Sequence, residues 1–212
     1  MKEKMKKLAV IIIISAIIIS NITVYCLGYY GERNFSILPD KLPSAEDVVR
    51  NARILKNVPY DYAMGKFNDI GSKLGFIVCS DVPNIAYGLS GYSLKSMLEN
   101  DFRRNPAAYN TSNGNMPGNP FFHRRARNLH AYFRNRNLLI PPSTLPKTGD
   151  LAFYHWTPNG YISHVALVTE VHENNYKLME SAPDTYLAGE TTGEAVIKRG
   201  WILVGFGRMY DN

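Results

Sequence analysis

Apolar and polar positions along this chain fall into three regimes, and each predicts a different kind of structure. From Leu8 to Leu27 the residues are almost all apolar, interrupted by Ser15, Ser20, Asn21 and Thr23. As a helix, this run of about twenty residues spans about 30 Å, the depth of a bilayer core. Farther on, Ala45, Val48, Val49, Ala52 and Leu55 recur at helical spacing behind Ser44 and Asp47, a capping-box pattern. Val82, Ile85, Ala86 and Leu89 predict a second amphipathic helix, capped by Ser80 or Asp81, with Pro83 tolerated in its first turn. Leu94, Met97, Leu98 and Phe102 predict a third between Ser93 and Arg104. Ala126, Leu129 and Phe133 predict a fourth running through Arg136, with its arginines facing outward.

The last third of the chain changes to short apolar runs punctuated by turns. Leu151 to Tyr154 reads as a strand, Pro158-Asn159-Gly160 as a hairpin turn, Ile162 to Val171 as the return strand and Tyr176 to Ser181 as a third. Residues 195–197 and the stretch from Trp201 to Met209 predict two further strands, the latter ending the sheet. The fold class expected is α+β, with helices first and an antiparallel meander after. Two aperiodic stretches stand apart: an aromatic-bearing loop from Asn57 to Gly65, and a loop rich in asparagine, glycine and proline from Asn105 to Pro120. The organisation expected is an anchor or signal segment over residues 1–30, a linker over 31–43 and one globular domain over 44–212.

Charge sharpens the ends of this picture. Lysines precede the apolar run and none falls inside it, which places the N-terminus in the cytoplasm and the domain outside, held at the cell membrane or secreted if the segment is cleaved. The first seven residues carry +3 of the formal +6, so the remainder is only mildly basic. That balance suits an anionic surface such as a cell-wall polymer and falls short of a nucleic-acid footprint.

The chain has two cysteines, and Cys26 lies in the apolar segment, so Cys79 is the one thiol of the exported part. A single thiol in an oxidising compartment is either buried for packing or put to use. Cys79 sits where an apolar run turns into a helix, a position where the helix dipole favours a thiolate. Such a nucleophile needs a base and a group that orients the base. His164, a polar ring at the start of an apolar strand, fits the base, and Glu180 on the adjacent strand fits the orienting group. His155 is the best rival, whereas His123, His130 and His172 fall in loop or exposed-helix contexts. No histidine pair has metal-ligand spacing, so neither a metal nor a cofactor is expected. Arg124 and Arg125 read either as a solvated basic face or as a clamp for carboxylates.

Cys79-Ser80-Asp81, Gly149-Asp150-Leu151 and the stretch from Ser163 to Val168 resemble, in order and spacing, the papain-like cell-wall peptidases of the NlpC type. Tyr60 resembles the tyrosine that precedes the cysteine in that group. His123-Arg124-Arg125 followed by Asn128-Leu129 is similar to a bacterial family known as domain of unknown function 1287, a likeness that covers roughly Ala45 to Met209. The resemblance implies a papain-like NlpC-type fold, with the Cys79 helix packed on an antiparallel sheet that carries His164 and a polar third member. Many relatives have histidine in that third place, and here it is Glu180, as in the related CHAP amidases. It also implies cleavage of amide bonds in peptidoglycan stem peptides, with Tyr60, Asp81, His123, Arg124, Arg125 and Asn128 as candidate substrate contacts. A non-catalytic wall-binding module and a thiol acyltransferase are the alternatives from other functional classes.

Overall fold

The computed structural model describes residues 44–209, apart from 65, 67, 68, 158, 159 and 174, together with Ser15. The expected anchor and linker otherwise lie outside the described residues, among which no helix is long and apolar enough to cross a membrane. Six helices and six strands follow in chain order: α1 Ala45–Arg53, α2 Ile70–Lys73, α3 Asp81–Leu89, α4 Leu94–Arg104, α5 Ala126–Asn135, β1 Leu139–Ile140, β2 Leu151–His155, β3 His164–His172, β4 Asn175–Glu180, β5 Gly189–Thr192, α6 Gly193–Lys198 and β6 Ile202–Gly207.

Local chemistry explains three of the six helix starts. Ser44 caps α1 by accepting from the Asp47 N–H and donating to its carboxylate, and Ser93 caps α4 through the Ser96 N–H. At α3 the capping expectation is corrected: Ser80 holds the N-cap position without a side-chain cap hydrogen bond. Asp81 instead reaches back to the Val78 N–H at 2.8 Å, tightening the turn that carries Cys79. The stretch from 105 to 120 is irregular, with two short 3-10 turns at Pro106–Ala108 and Ser112–Gly114.

All pairings in the sheet are antiparallel, in the order β1-β6-β2-β3-β4-β5. Strands β2 to β5 form the expected meander, but β6 does not end the sheet: it inserts between β1 and β2. The 195–197 run is not a strand either. Thr192 caps the Ala195 N–H and turns that run into α6.

Both faces of the sheet are covered, and period-two alternation assigns each side chain to a face. Leu151, Phe153, Val165, Leu167 and Met179 meet α1, α3, α4 and α5, whereas Ala152, Tyr154, Ala166, Val168 and Leu178 meet Val196, Trp201 and Phe206. The α5 contact is close enough to require a glycine: a Cβ at Gly207 would lie 2.5 Å from the Phe133 ring.

Helix α5 also contributes to the acid sensitivity of the fold. His130 packs edge-on against Phe153, ring centroids 5.2 Å apart, and burial, helped by the Arg134 charge, lowers its pKa to about 4. The unfolded chain takes up this proton near pH 6.5, before the folded protein does, so stability falls as pH drops from about 6.5 towards 4. Urea unfolding at pH 7 and pH 4.5 is expected to show a smaller acid loss for His130→Phe than for wild type.

Candidate active site

Three elements bring the candidate nucleophile to the sheet. The chain emerges from α2, pairs Tyr60 with Ile77 in a parallel bridge, and turns at Cys79 into α3. Cys79 is half-buried, its Sγ 4.0 Å from the Ser163 carbonyl oxygen. His164, the first residue of β3, sits beside the thiol, close enough for Cys79 to raise its pKa. Its ring is buried, with centroids 5.8 Å from Tyr154 and 4.8 Å from Trp201. Nε2 lies 2.8 Å from Oε2 of Glu180, the last residue of β4, which leaves Nδ1 for the sulfur. The β3–β4 register makes this meeting possible: Leu167 pairs with Met179, so His164 and Glu180 both project to the opposite face of the sheet.

Burial alone would lower the His164 pKa, but hydrogen bonds to Cys79 and Glu180, with their negative charges, outweigh it and raise it to about 9. Burial pushes Glu180 up, yet the His164 bond and the Arg199 charge hold it below its ordinary value. The Arg199 guanidinium hydrogen-bonds Oε1 of Glu180 and lies 3.2 Å from Asp184. Neither Arg199 nor Trp201, the latter read only as the start of a strand, carries a site motif in the sequence. Their signal is position, since both follow α6 and return to the sheet beside the histidine.

Cys79 opens on a cleft of about 290 Å³ whose lining includes Tyr60, Val78, Arg125, Arg127, Tyr161 and Ser163. Tyr60 is half-buried, and burial followed by the nearby Cys79 charge raises its pKa, so its hydroxyl stays a proton donor. Two further aromatics continue from it, Tyr62 at 4.9 Å and then Tyr186 at 6.3 Å between ring centroids.

Three of the candidate substrate contacts, Asp81, His123 and Asn128, do not line this cleft, and a fourth, Arg124, borders it with its charge already engaged. Arg124 does not face outward. Its side chain is 3% exposed, and it borders the cleft with every guanidinium nitrogen engaged. Nε and Nη2 bind Asp81, Nη2 also meets Asp61 at 3.2 Å, and Nη1 donates to Ser72 at 2.8 Å. The same geometry consumes Asp81, which holds both Arg124 and the Val78 N–H. Packing here is tight: a Cβ on Gly71 would collide with the Asp61 carboxylate. Asn128 is buried in a reciprocal amide pair with Asn115 and donates to the Phe122 carbonyl. His123 lines a separate cavity with Lys73 and Lys95, and its carbonyl accepts from Asn84. Asp81, Arg124 and Asn128 are built into the framework because a buried charge or amide must find partners, and here the partners are protein groups. Among the described residues, no three of His, Cys, Asp or Glu converge to hold a metal ion.

An α+β protein that sets a half-buried thiol beside a buried imidazole, itself hydrogen-bonded to a carboxylate, has the arrangement of a Cys–His–carboxylate site. The chain belongs to the family described as domain of unknown function (DUF1287), whose model matches residues 48–180. No curated protein matches it. Among solved structures it is similar to an NlpC/P60 family protein from Bacillus cereus ATCC 10987, at 14% identity and TM-score 0.47 over 79% of this chain and 41% of that one. It is also similar to NlpC2 from Trichomonas vaginalis, at 13% identity and TM-score 0.48 over 84% and 50% of the two chains. NlpC1 from the same organism gives 12% identity and TM-score 0.48 over 82% and 47%. The chain thus spans half or less of each of these structures.

Proposed function

We propose that this protein is a cysteine hydrolase of amide bonds that acts on peptidoglycan stem peptides outside the cytoplasm. The observation that carries the proposal is the constellation of Cys79 beside His164, with His164 hydrogen-bonded to Glu180, at the wall of an open cleft. His164 takes the thiol proton at Nδ1, and the resulting imidazolium is stabilised by the Glu180 carboxylate behind it. Cys79 Sγ attacks the amide carbonyl carbon, and the Cys79 backbone N–H with the Tyr60 hydroxyl donates to the oxyanion. His164 returns the proton to the departing amine. Water, deprotonated by His164, then cleaves the thioester and frees the acid and the thiol.

The substrate class rests on the likeness of the Cys79-Ser80-Asp81 and Ser163-to-Val168 stretches to wall peptidases, and on the lysine-flanked apolar run that exports the domain. Incubation of purified peptidoglycan with the protein, followed by mass spectrometry of the soluble fraction, tests the reading beside a folded Cys79→Ala control. The expected result is fragments from wild type only, one water heavier at the cleaved amide. Intact polymer that sediments equally with both proteins would favour a wall-binding module, and products joined to an amine acceptor would favour acyl transfer.

A further inference from the structure

Two guanidinium groups in the cleft have no neutralising partner among the described residues. Arg125 and Arg127 flank Ala126, the first residue of α5, and both line the cleft that holds Cys79. Among the described residues neither makes an ion pair or a side-chain hydrogen bond, in contrast to Arg124 beside them. Arg127 Nε is buried without a partner, and the guanidinium lies over the exposed Tyr161 ring at 5.5 Å, which holds its plane in place. Arg125 is half-buried, and burial and the Arg127 charge both lower its pKa. Like charges held together and partly stripped of water are unfavourable in the free protein, and a bound anion relieves that cost. Arginine forks match a carboxylate in charge and in planar geometry.

We infer that Arg125 and Arg127, with Tyr161 as a backing ring, form a carboxylate subsite, so the substrate is an amide that carries a free carboxylate near the bond attacked by Cys79. The inference rests on the hydrolase reading for the identity of the reacting amide, but the anion site itself does not. Val78 supplies no charge beside the nucleophile, and among the described residues the charged side chains on the cleft wall are arginines. Because Arg124 is committed to Asp61 and Asp81, the selectivity falls on its two neighbours.

The test compares two alkylating reagents of nearly equal size, iodoacetate and iodoacetamide, on the full-length protein, reading the Cys79 peptide by mass spectrometry. The ratio of iodoacetate to iodoacetamide rates is measured for wild type, Arg127→Lys and the double variant Arg125→Gln with Arg127→Gln, each shown to be folded by circular dichroism. His164 is present in all three, so its charge cancels from the comparison. The ratio is expected to fall about tenfold or more in the double variant, the effect of losing two nearby cations in a half-buried site. Arg127→Lys keeps the charge but not the fork and is expected to fall between.

A second arm caps the free carboxylates of peptidoglycan as methylamides. Wild type is expected to cleave the capped polymer about tenfold or more slowly than the native one, and the double variant to lose that discrimination. A rate ratio unchanged by the double substitution overturns the subsite and leaves the hydrolase reading standing. Intact native polymer with a ratio that depends on the arginines overturns the hydrolase reading and leaves the anion site.

Discussion

Arg124→Met is expected to destabilise the protein by about 3–5 kcal/mol at pH 7, measured by equilibrium urea unfolding, because it strands buried carboxylates. The guanidinium is 3% exposed, and the Asp61 and Asp81 side chains it meets are 0% and 5% exposed. Burial already raises the Asp61 pKa, with the Arg124 charge and hydrogen bond opposing it. Removing Arg124 deletes the opposing influence and raises the folded pKa further. A carboxyl whose folded pKa lies above its unfolded value binds its proton more readily when folded, so its penalty is greatest at high pH and fades as pH falls. The deficit of Arg124→Met is therefore expected to shrink on acidification towards pH 5. Adding Asp61→Asn and Asp81→Asn should recover most of the loss, because the one carboxylate then left without its arginine, Asp69, is partly exposed to water. A loss below about 1 kcal/mol would mean the arginine is not the keystone of this cluster.

The second large effect is on catalysis. Glu180→Ala is expected to lower kcat on the order of 10⁴-fold with little change in KM, as when the orienting carboxylate of a Ser–His–Asp triad is lost. Glu180 touches His164 and Arg199 and does not line the cleft, so substrate binding does not sense it directly. Glu180→Gln keeps the shape of the side chain but can turn its amide N–H towards His164 Nε2, so it is expected to lose activity on a comparable scale. It also removes the negative charge, which is one of the influences holding the His164 pKa at about 9. The active form is thiolate with imidazolium, and activity is lost on the alkaline side when the imidazolium gives up its proton. In Glu180→Gln this alkaline limb is expected to move to lower pH. An unmoved limb together with full activity would remove Glu180 from the mechanism.

The contrast between Glu180 and Arg124 shows what a sequence displays and what it conceals. His164 and Glu180 are polar residues that begin or end strongly apolar strands, and such an interruption is visible in one dimension. The helices α1, α3, α4 and α5 were legible for the same kind of reason, since a buried stripe leaves its period in the sequence. Strand β5, with the sequence Gly-Glu-Thr-Thr, carries no apolar alternation and is held at the sheet edge by its backbone pairing with β4. The Ala195-Val196-Ile197 run looks strand-like in isolation, and the cap supplied by Thr192 overrides it. Arg124 concealed its role because its partners lie 43 and 63 residues away, at Asp81 and Asp61. Nothing local distinguishes a committed arginine from its free neighbours Arg125 and Arg127. Only the fold sorts the three.

The central claim, that His164 activates Cys79, is tested most directly by the rate at which iodoacetamide alkylates Cys79 at pH 7 in wild type and in His164→Ala. Peptide mass spectrometry separates this site from Cys26 in the full-length chain. Removing the imidazole opens space around the sulfur, so access alone would speed the reaction in the variant. Activation predicts the opposite, a rate about tenfold or more lower in His164→Ala, because the thiolate is the reacting form. Equal rates, or a faster variant, would contradict the account and leave Cys79 as a packing residue beside a histidine.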